Sequence, residues 1–310
     1  MATERTRLVE TLREDEFQTV AQLSAALKID EATVAEHLQQ LEQDGLPLQS
    51  ASDCGFRLLE GIAPIDAENL VEELEKAAFP YARQVEILDT VDSTSDWLSR
   101  QQSGGVDIHG KACITEFQSA GRGRRGRNWR GSPYCHLMFS MGWRFQKEDV
   151  EMTGLSLSVG VAVADSLRNL SGAPVGLKWP NDLFLYGRKL AGFLPSVTQR
   201  GSSVRQLRIG FGLNICNPVP IEGIALDQLD RVGSHDPARW TAEILLALDR
   251  CQQIGGDGSW CLPALNRLLW AKQIQHPKDG RTWMISGVAS DGALQLHHGT
   301  RYEEWRRWSS

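Results

Sequence analysis

No apolar run in the 310 residues approaches the roughly 18 that a membrane-spanning helix needs. The opening residues, MATERTRLVE, carry charges with no apolar stretch after them, which speaks against a signal peptide. The six cysteines (Cys54, Cys113, Cys135, Cys216, Cys251 and Cys261) form no C-x-x-C pair. That argues against a disulfide framework or a zinc site and for a reduced, cytoplasmic setting. The seven histidines show no metal spacing beyond the adjacent His297 and His298, read here as an exposed turn. No Ser–His–Asp constellation signals a covalent nucleophile. A basic excess is lacking too: 33 basic residues face 39 acidic ones, a net charge of −6. Taken whole, that counts against a polyanion partner.

What is present is enough chain for two or three domains and, at 41% hydrophobic residues, enough to bury a core. The charge is unevenly placed. Residues 1–62 hold twelve acidic side chains and five basic ones (Arg5, Arg7, Arg13, Lys28 and Arg57), while the remaining 28 basic and 27 acidic nearly cancel. Five arginines, Arg122, Arg124, Arg125, Arg127 and Arg130, crowd into residues 122–130. An acidic head and a cationic loop imply different partners.

The head reads as a winged helix-turn-helix. Residues 5–13 form a short helix with Leu8 and Leu12 on one face. Thr19 caps a second over 20–27, with Val20, Leu23 and Leu27 in one stripe. After a break at Ile29 and Asp30, EATVAEHLQQLEQDG forms a third, with Val34, Leu38 and Leu41 inward and Gly45 as its stop. Two short strands then surround a polar turn. Thr33, His37 and Gln40 are the candidate DNA-reading side chains. Phosphate contacts come from Lys and Arg, yet this helix carries Glu31, Glu36 and Glu42, with His37 its one possible cation. The alternative is a helical interaction domain that binds no DNA.

From Val85 the pattern changes. A strand leads into Ser93, Thr94 and Ser95, natural helix caps whose hydroxyls and amides can also hold a polar ligand. Between two strand-like segments lies GRGRRGR, in which Gly121, Gly123 and Gly126 satisfy G-x-G-x-x-G. A dinucleotide site needs a helix directly after the glycines and an acid about 20 positions on. Neither follows, since a turn-rich loop and a strand come next. The better reading is a loop in which glycine admits close backbone approach and guanidinium groups grip phosphate or carboxylate. The alternative is a solvated RG stretch. Farther on, Lys178 and Lys189 stand at neighbouring strand ends with Asp182 in the Pro180-Asn181-Asp182 turn between them. QLRIGFGLNICNP is a strand expected to end in a Gly-x-Asn turn. Residues 237–254 and 259–274 read as helices, and short strands after them suggest a small barrel.

GRGRRGR, KWPND, KLAGFL and GFGLNI, in this order and spacing, resemble the bacterial biotin–protein ligases of the bifunctional type that also act as biotin operon repressors. The resemblance implies an α+β chain: a winged helix-turn-helix at 1–62, a linker at 63–82, a mixed-sheet α/β catalytic domain of the biotin/lipoate ligase type at 83–262, and an SH3-like small β-barrel at 263–310. It implies ATP- and Mg²⁺-dependent conversion of biotin to biotinyl-5′-adenylate, then transfer to a lysine of the biotin carboxyl carrier protein of acetyl-CoA carboxylase. Carried over by motif, Ser93, Thr94, Ser95, Gln118, Arg122, Gly123, Arg124 and Lys189 would bind biotin. Arg124, Trp129, Asn181 and Asn214 would hold the adenylate. Lys189, Arg124, Lys178 and Asp182 would carry the chemistry, Asp182 by orienting the incoming amine. No protein-held metal is expected. Operator DNA and a homodimer formed through the central sheet in the adenylate-bound state are further implied partners, with no membrane. Ser95 stands where the family usually has Asn, and Pro195-Ser196 where an apolar residue and Glu are common. Tyr302-Glu303-Glu304-Trp305 departs from the usual closing strand. Two other functions stay open: a biotin-sensing transcription regulator with weak catalysis, and a lipoate-type ligase.

Overall fold

The computed structural model describes residues 3–52, 54–59, 61–145, 152–200, 204–219, 222–228, 236–254 and 261–306. Three short helices open the chain: α1 (Glu4–Thr11), α2 (Val20–Leu27) and α3 (Glu31–Gln43). Each begins where a side chain satisfies free backbone amides. Thr3 accepts from Thr6, Thr19 and Gln22 form a reciprocal capping box, and Asp30 accepts from Thr33. Lys28, in the left-handed region at φ 58°, breaks the chain between α2 and α3. The antiparallel hairpin β1 (Leu48–Ala51) and β2 (Gly55–Leu58) forms the wing. Leu8, Leu23, Val34, Leu38 and Leu41 are buried, as their spacing predicts.

This head shares its core with the rest of the molecule. Its leucines join one apolar cluster with Ile62, Tyr134, Cys135 and Cys216. Arg5 pairs with Asp44 at 2.8 Å and approaches Asp89 at 3.8 Å. Tyr134 donates its hydroxyl to Asp89 at 2.7 Å. Glu116 is buried and accepts from the Ile65 amide at 2.7 Å. Helix α4 (Ala67–Lys76) follows, with Leu70 and Leu74 inward.

A seven-stranded mixed sheet forms the centre, built from β3 (Val85–Val91), β4 (Ala112–Gln118), β5 (His136–Phe145), β6 (Gly176–Lys178), β7 (Asp182–Leu185), β8 (Arg188–Arg200) and β9 (Val204–Asn214). Its order is β3-β4-β5-β9-β8-β7-β6, with β3 and β4 parallel and the other pairs antiparallel. Helix α5 (Thr94–Ser103) lies on one face; α6 (Met152–Ser171) and α7 (Pro237–Ile254) cover the other.

Strand β9 shows why. Successive side chains in a strand point to opposite faces. Leu207, Ile209, Phe211 and Leu213 enter the core under α6 and α7. Gln206, Arg208, Gly210, Gly212 and Asn214 turn to the face that carries α5. Burial of each large apolar side chain contributes about 2 kcal/mol, so the apolar face fixes the register and the small, polar face is left for a ligand.

The chain ends in α8 (Leu262–Leu268) and the strands β10 (Gln273–Gln275), β11 (Thr282–Val288), β12 (Leu294–His298) and β13 (Arg301–Trp305). These four form an antiparallel meander compatible with an SH3-like barrel but open, with β10 and β13 as its edges. Its last strand forms despite its unusual sequence: His276, beyond β10, bonds Glu303 of β13 at 3.0 Å and stacks on Trp283.

Three expectations are corrected. The helix expected over 259–274 covers only 262–268 among the described residues. Pro263 occupies its first turn, and Leu269 and Trp270 leave it to pair with Leu177 at the edge of β6. The segment Gly212–Asn214 remains in β9 rather than turning, because β5 pairs with it as far as His136 opposite Asn214. His297 and His298 lie in β12 rather than in a turn, the turn itself beginning at Gly299.

Candidate active site

The site occupies the α5 face of the sheet. Ser93 caps α5 by accepting from the Asp96 amide, and Arg100 grips Asp92 through both terminal nitrogens at 2.7 and 2.8 Å. Gln118 accepts from the Thr94 amide at 2.9 Å and from its hydroxyl at 3.2 Å. The Thr94 hydroxyl also bonds Ser140 at 2.8 Å. Ser93, Thr94 and Gln118 therefore meet, and Ser95 follows, half-buried, in the first turn of α5.

The Gly/Arg loop folds on itself above the sheet. Gly123 donates to the Arg127 carbonyl at 2.7 Å and Trp129 to that of Gly121 at 2.9 Å. Arg122 reaches Asp96 at 2.8 Å, tying the loop to α5. Arg124 donates to the Asn181 side chain at 2.6 Å. Burial pulls the Arg124 guanidinium below its ordinary range, Arg125 and Arg127 repel it, and Asp182 attracts it. The Trp129 ring lies flat on β9, where a Cβ on Gly212 would come within 2.5 Å of the indole. Only glycine fits there.

Opposite the loop, Lys189 donates to Asp182 at 2.8 Å, with its ammonium 5.7 Å from the centre of the Trp129 ring. Gly192 makes room, since a Cβ there would stand 3.2 Å from both Asp182 Oδ1 and Lys189 Nζ. Asn181 donates to Asp182 at 3.3 Å and to the Phe193 carbonyl at 3.0 Å. Asn214 donates to the carbonyls of Lys189 and Ile224, bracing the strand that carries Lys189. Beside it, burial pushes His136 down to about 4, so its ring is neutral.

Asp182 therefore pairs with Lys189 rather than sitting between two lysines. Lys178 instead lies over the Phe184 and Trp270 rings, 4.5 and 5.8 Å from their centres. It borders a cavity of about 300 Å³ between β6, the segment Leu269–Ala271 after α8 and the terminal sheet. Contacts link α5 to the loop through Asp96 and Arg122, the loop to the turn through Arg124 and Asn181, and the turn to Lys189 through Asp182. Ser140, Gly192, Gly212 and Asp96 were missed. Strand alternation could have revealed the first three, because each is a small residue on the face opposite a buried apolar neighbour. Asp96 carried no such signal. The candidate DNA-reading residues lie apart, in α3. Thr33 bonds Asp30, Gln40 bonds Asp44, and His37 stands 3.5 Å from Glu4.

The arrangement presents cationic groups and amides to an anionic ligand over a glycine floor, with an acid–amine pair at one end. The chain resembles known proteins. Residues 88–214 match the biotin/lipoate A/B protein ligase family, and residues 3–46 match the bacterial regulatory proteins of the arsR family. The bifunctional ligase/repressor BirA of Salmonella typhimurium is 36% identical over 208 residues, 67% of this chain and 62% of its own. The matched part thus spans less than two thirds of that relative, as it does of the Escherichia coli protein at 63%. The biotin–[acetyl-CoA-carboxylase] ligase of Mycobacterium tuberculosis is 35% identical over 192 residues, 60% of this chain and 70% of its own. In fold, the biotin protein ligase of Aquifex aeolicus, solved with biotin and ATP, superposes with a TM-score of 0.59 at 21% identity, covering 71% of this chain and 94% of that one. By these matches, the chain belongs to the biotin/lipoate A/B protein ligase family.

Proposed function

We propose that this protein activates biotin with ATP to biotinyl-5′-adenylate and transfers the biotinyl group to a lysine of a biotin carboxyl carrier protein. The observation that carries the reading is the chain of contacts in which Arg124 meets Asn181, Asn181 meets Asp182 and Asp182 meets Lys189. In the first step a biotin carboxylate oxygen attacks the α-phosphorus and pyrophosphate leaves. Two anions must approach, and Arg124 and Lys189 lower that repulsion and stabilise charge on the phosphoryl oxygens. Thr94, Gln118 and Ser140 would hold the polar head of biotin, and Trp129 would pack against the nucleotide. Among the described residues no cluster of three or more His, Cys, Asp or Glu could hold a metal. Mg²⁺ would enter on the nucleotide phosphates, supplying charge neutralisation there.

In the second step the carrier lysine attacks the acyl carbon as a neutral amine, AMP leaves, and Asp182 orients the amine or accepts its proton. Lys178, over the Phe184 and Trp270 rings at the cavity beside the terminal sheet, would meet incoming phosphates or the carrier rather than the acyl centre.

Biotin-dependent ATP–pyrophosphate exchange, followed by label transfer to a carrier domain, tests the reading. Failure to exchange would overturn it; exchange with lipoate but not biotin would reassign the acyl group. A cytoplasmic setting suits these substrates, and no helix among the described residues is long and apolar enough to cross a membrane.

A second function is biotin-responsive repression, favoured by the winged helix-turn-helix head. Its acidic α3 face opposes it. A salt-dependent mobility shift on a biotin operon promoter, with and without biotinyl-adenylate, decides between them. Homodimerisation has a candidate edge: among the described residues β7 pairs with β8 only from Arg188 to Gly192, which leaves β9 as the one strand partner of the far half of β8. Pro195 is tolerated there for the same reason.

A further inference from the structure

We propose that Asn181 is a positioning residue that latches the Gly/Arg loop shut through Arg124 and joins that loop to the Asp182–Lys189 pair. This rests on the ligase reading only for its catalytic consequence; the latch itself is a property of the ligand-free chain.

Asn181 is a fixed post. It is 9% exposed, its backbone carbonyl accepts from the Phe193 amide at 3.1 Å, and its side-chain amide donates to the Phe193 carbonyl at 3.0 Å. Those bonds to β8 leave its Oδ1 pointing one way, and Arg124 fills it at 2.6 Å. The same amide nitrogen stands 3.3 Å from Asp182 Oδ1, the oxygen that Lys189 also contacts.

Arg124 needs such a post. Arg125 and Arg127 repel its charge and burial strips it of water, so without an acceptor the loop would favour lifting into solvent. A further tie of the loop to the body, Arg122 to Asp96, is an exposed ion pair, and such pairs contribute little. A half-buried, charge-assisted hydrogen bond is the stronger hold. Loop closure and the placing of the reaction carboxylate thus pass through one amide.

The test is limited trypsin digestion of the full-length, ligand-free protein, since trypsin cuts after the loop arginines. When opening is fast relative to cleavage, the rate follows the open population. Asn181→Ala should raise cleavage within residues 122–130 by about ten-fold, the size expected for losing a hydrogen bond to a charged group. Arg124→Ala should do the same, and the double variant should add nothing further. Cleavage outside residues 122–130 should stay at the wild-type rate in Asn181→Ala, which guards against that variant merely misfolding. Unchanged cleavage within residues 122–130 in Asn181→Ala, additive effects in the double variant, or equally faster cleavage along the whole chain would each overturn the latch. In a second arm, biotinyl-adenylate should dissociate faster from Asn181→Ala, again without additivity with Arg124→Ala. If the wild-type chain makes no adenylate, the proposed function fails while the digestion still judges the latch.

Discussion

Glu116 offers a quantitative test of how the head is joined to the catalytic sheet. Its carboxyl is buried where the segment after the wing, through Ile65, meets β4, near Asp89 and Glu10. Burial pushes it from 4.5 up to about 8, against the lowering effect of the Ile65 amide. The folded protein therefore binds this proton more tightly than the unfolded chain does. The stabilisation is fully present below about 4.5 and is lost as the pH rises through about 8. At 1.36 kcal/mol per pH unit, stability should fall by about 3 kcal/mol between pH 5 and pH 8 from this group alone. Glu116→Gln keeps an acceptor for Ile65 and cannot ionise, so its stability should be flatter over that range. Urea unfolding of both proteins at pH 5, 6, 7 and 8 measures the difference. Parallel curves would refute the reasoning, because a carboxyl that titrates normally gives no slope above pH 5. A slope of opposite sign would mean that Glu116 is folded as a carboxylate.

Other perturbations reach the site directly. Asp182→Asn should slow biotin transfer to the carrier by more than it slows pyrophosphate exchange, and equal loss of both steps would remove Asp182 from amine handling. Arg124→Gly should release the adenylate into solution, seen as promiscuous biotinylation of a bystander protein; adenylate held as tightly as by wild type would contradict it. Gly212→Val should displace the Trp129 indole and raise the KM for ATP about ten-fold or more, a loss of fit of one to two kcal/mol; an unchanged KM would place the nucleotide elsewhere. Tyr134→Phe removes the bond to Asp89 and should lower stability by about 1 kcal/mol, measured as a reduced urea midpoint with an unchanged slope.

Much of the molecule could be read locally, because the deciding forces act over a few residues. Thr19 and Asp30 announce helix starts through hydroxyl and carboxylate acceptors at fixed offsets. The alternation in QLRIGFGLN separates a core face from a ligand face, and the run of motifs from GRGRRGR to GFGLNI points to one chemistry. The short reach of such signals also explains the errors. Residues 259–274 keep helical spacing, but pairing of Leu269 and Trp270 with Leu177, far away in sequence, ends the helix at Leu268. Lys178 and Lys189 looked equivalent around Asp182, yet the aromatic rings of Phe184 and Trp270 draw one aside.

By itself the sequence determined the helix caps, the strand alternation, the acidic head and the cationic loop, since each follows from the chemistry of neighbouring side chains. Tertiary structure alone decided which of those groups touch. It set Trp129 on Gly212, Arg124 on Asn181 and Tyr134 on Asp89, and it sealed Glu116 at the junction of head and sheet. The physical reason is that hydrogen bonds and ion pairs depend on ångström-scale separations, and for residues 45 to 83 positions apart the packing of the sheet sets those separations.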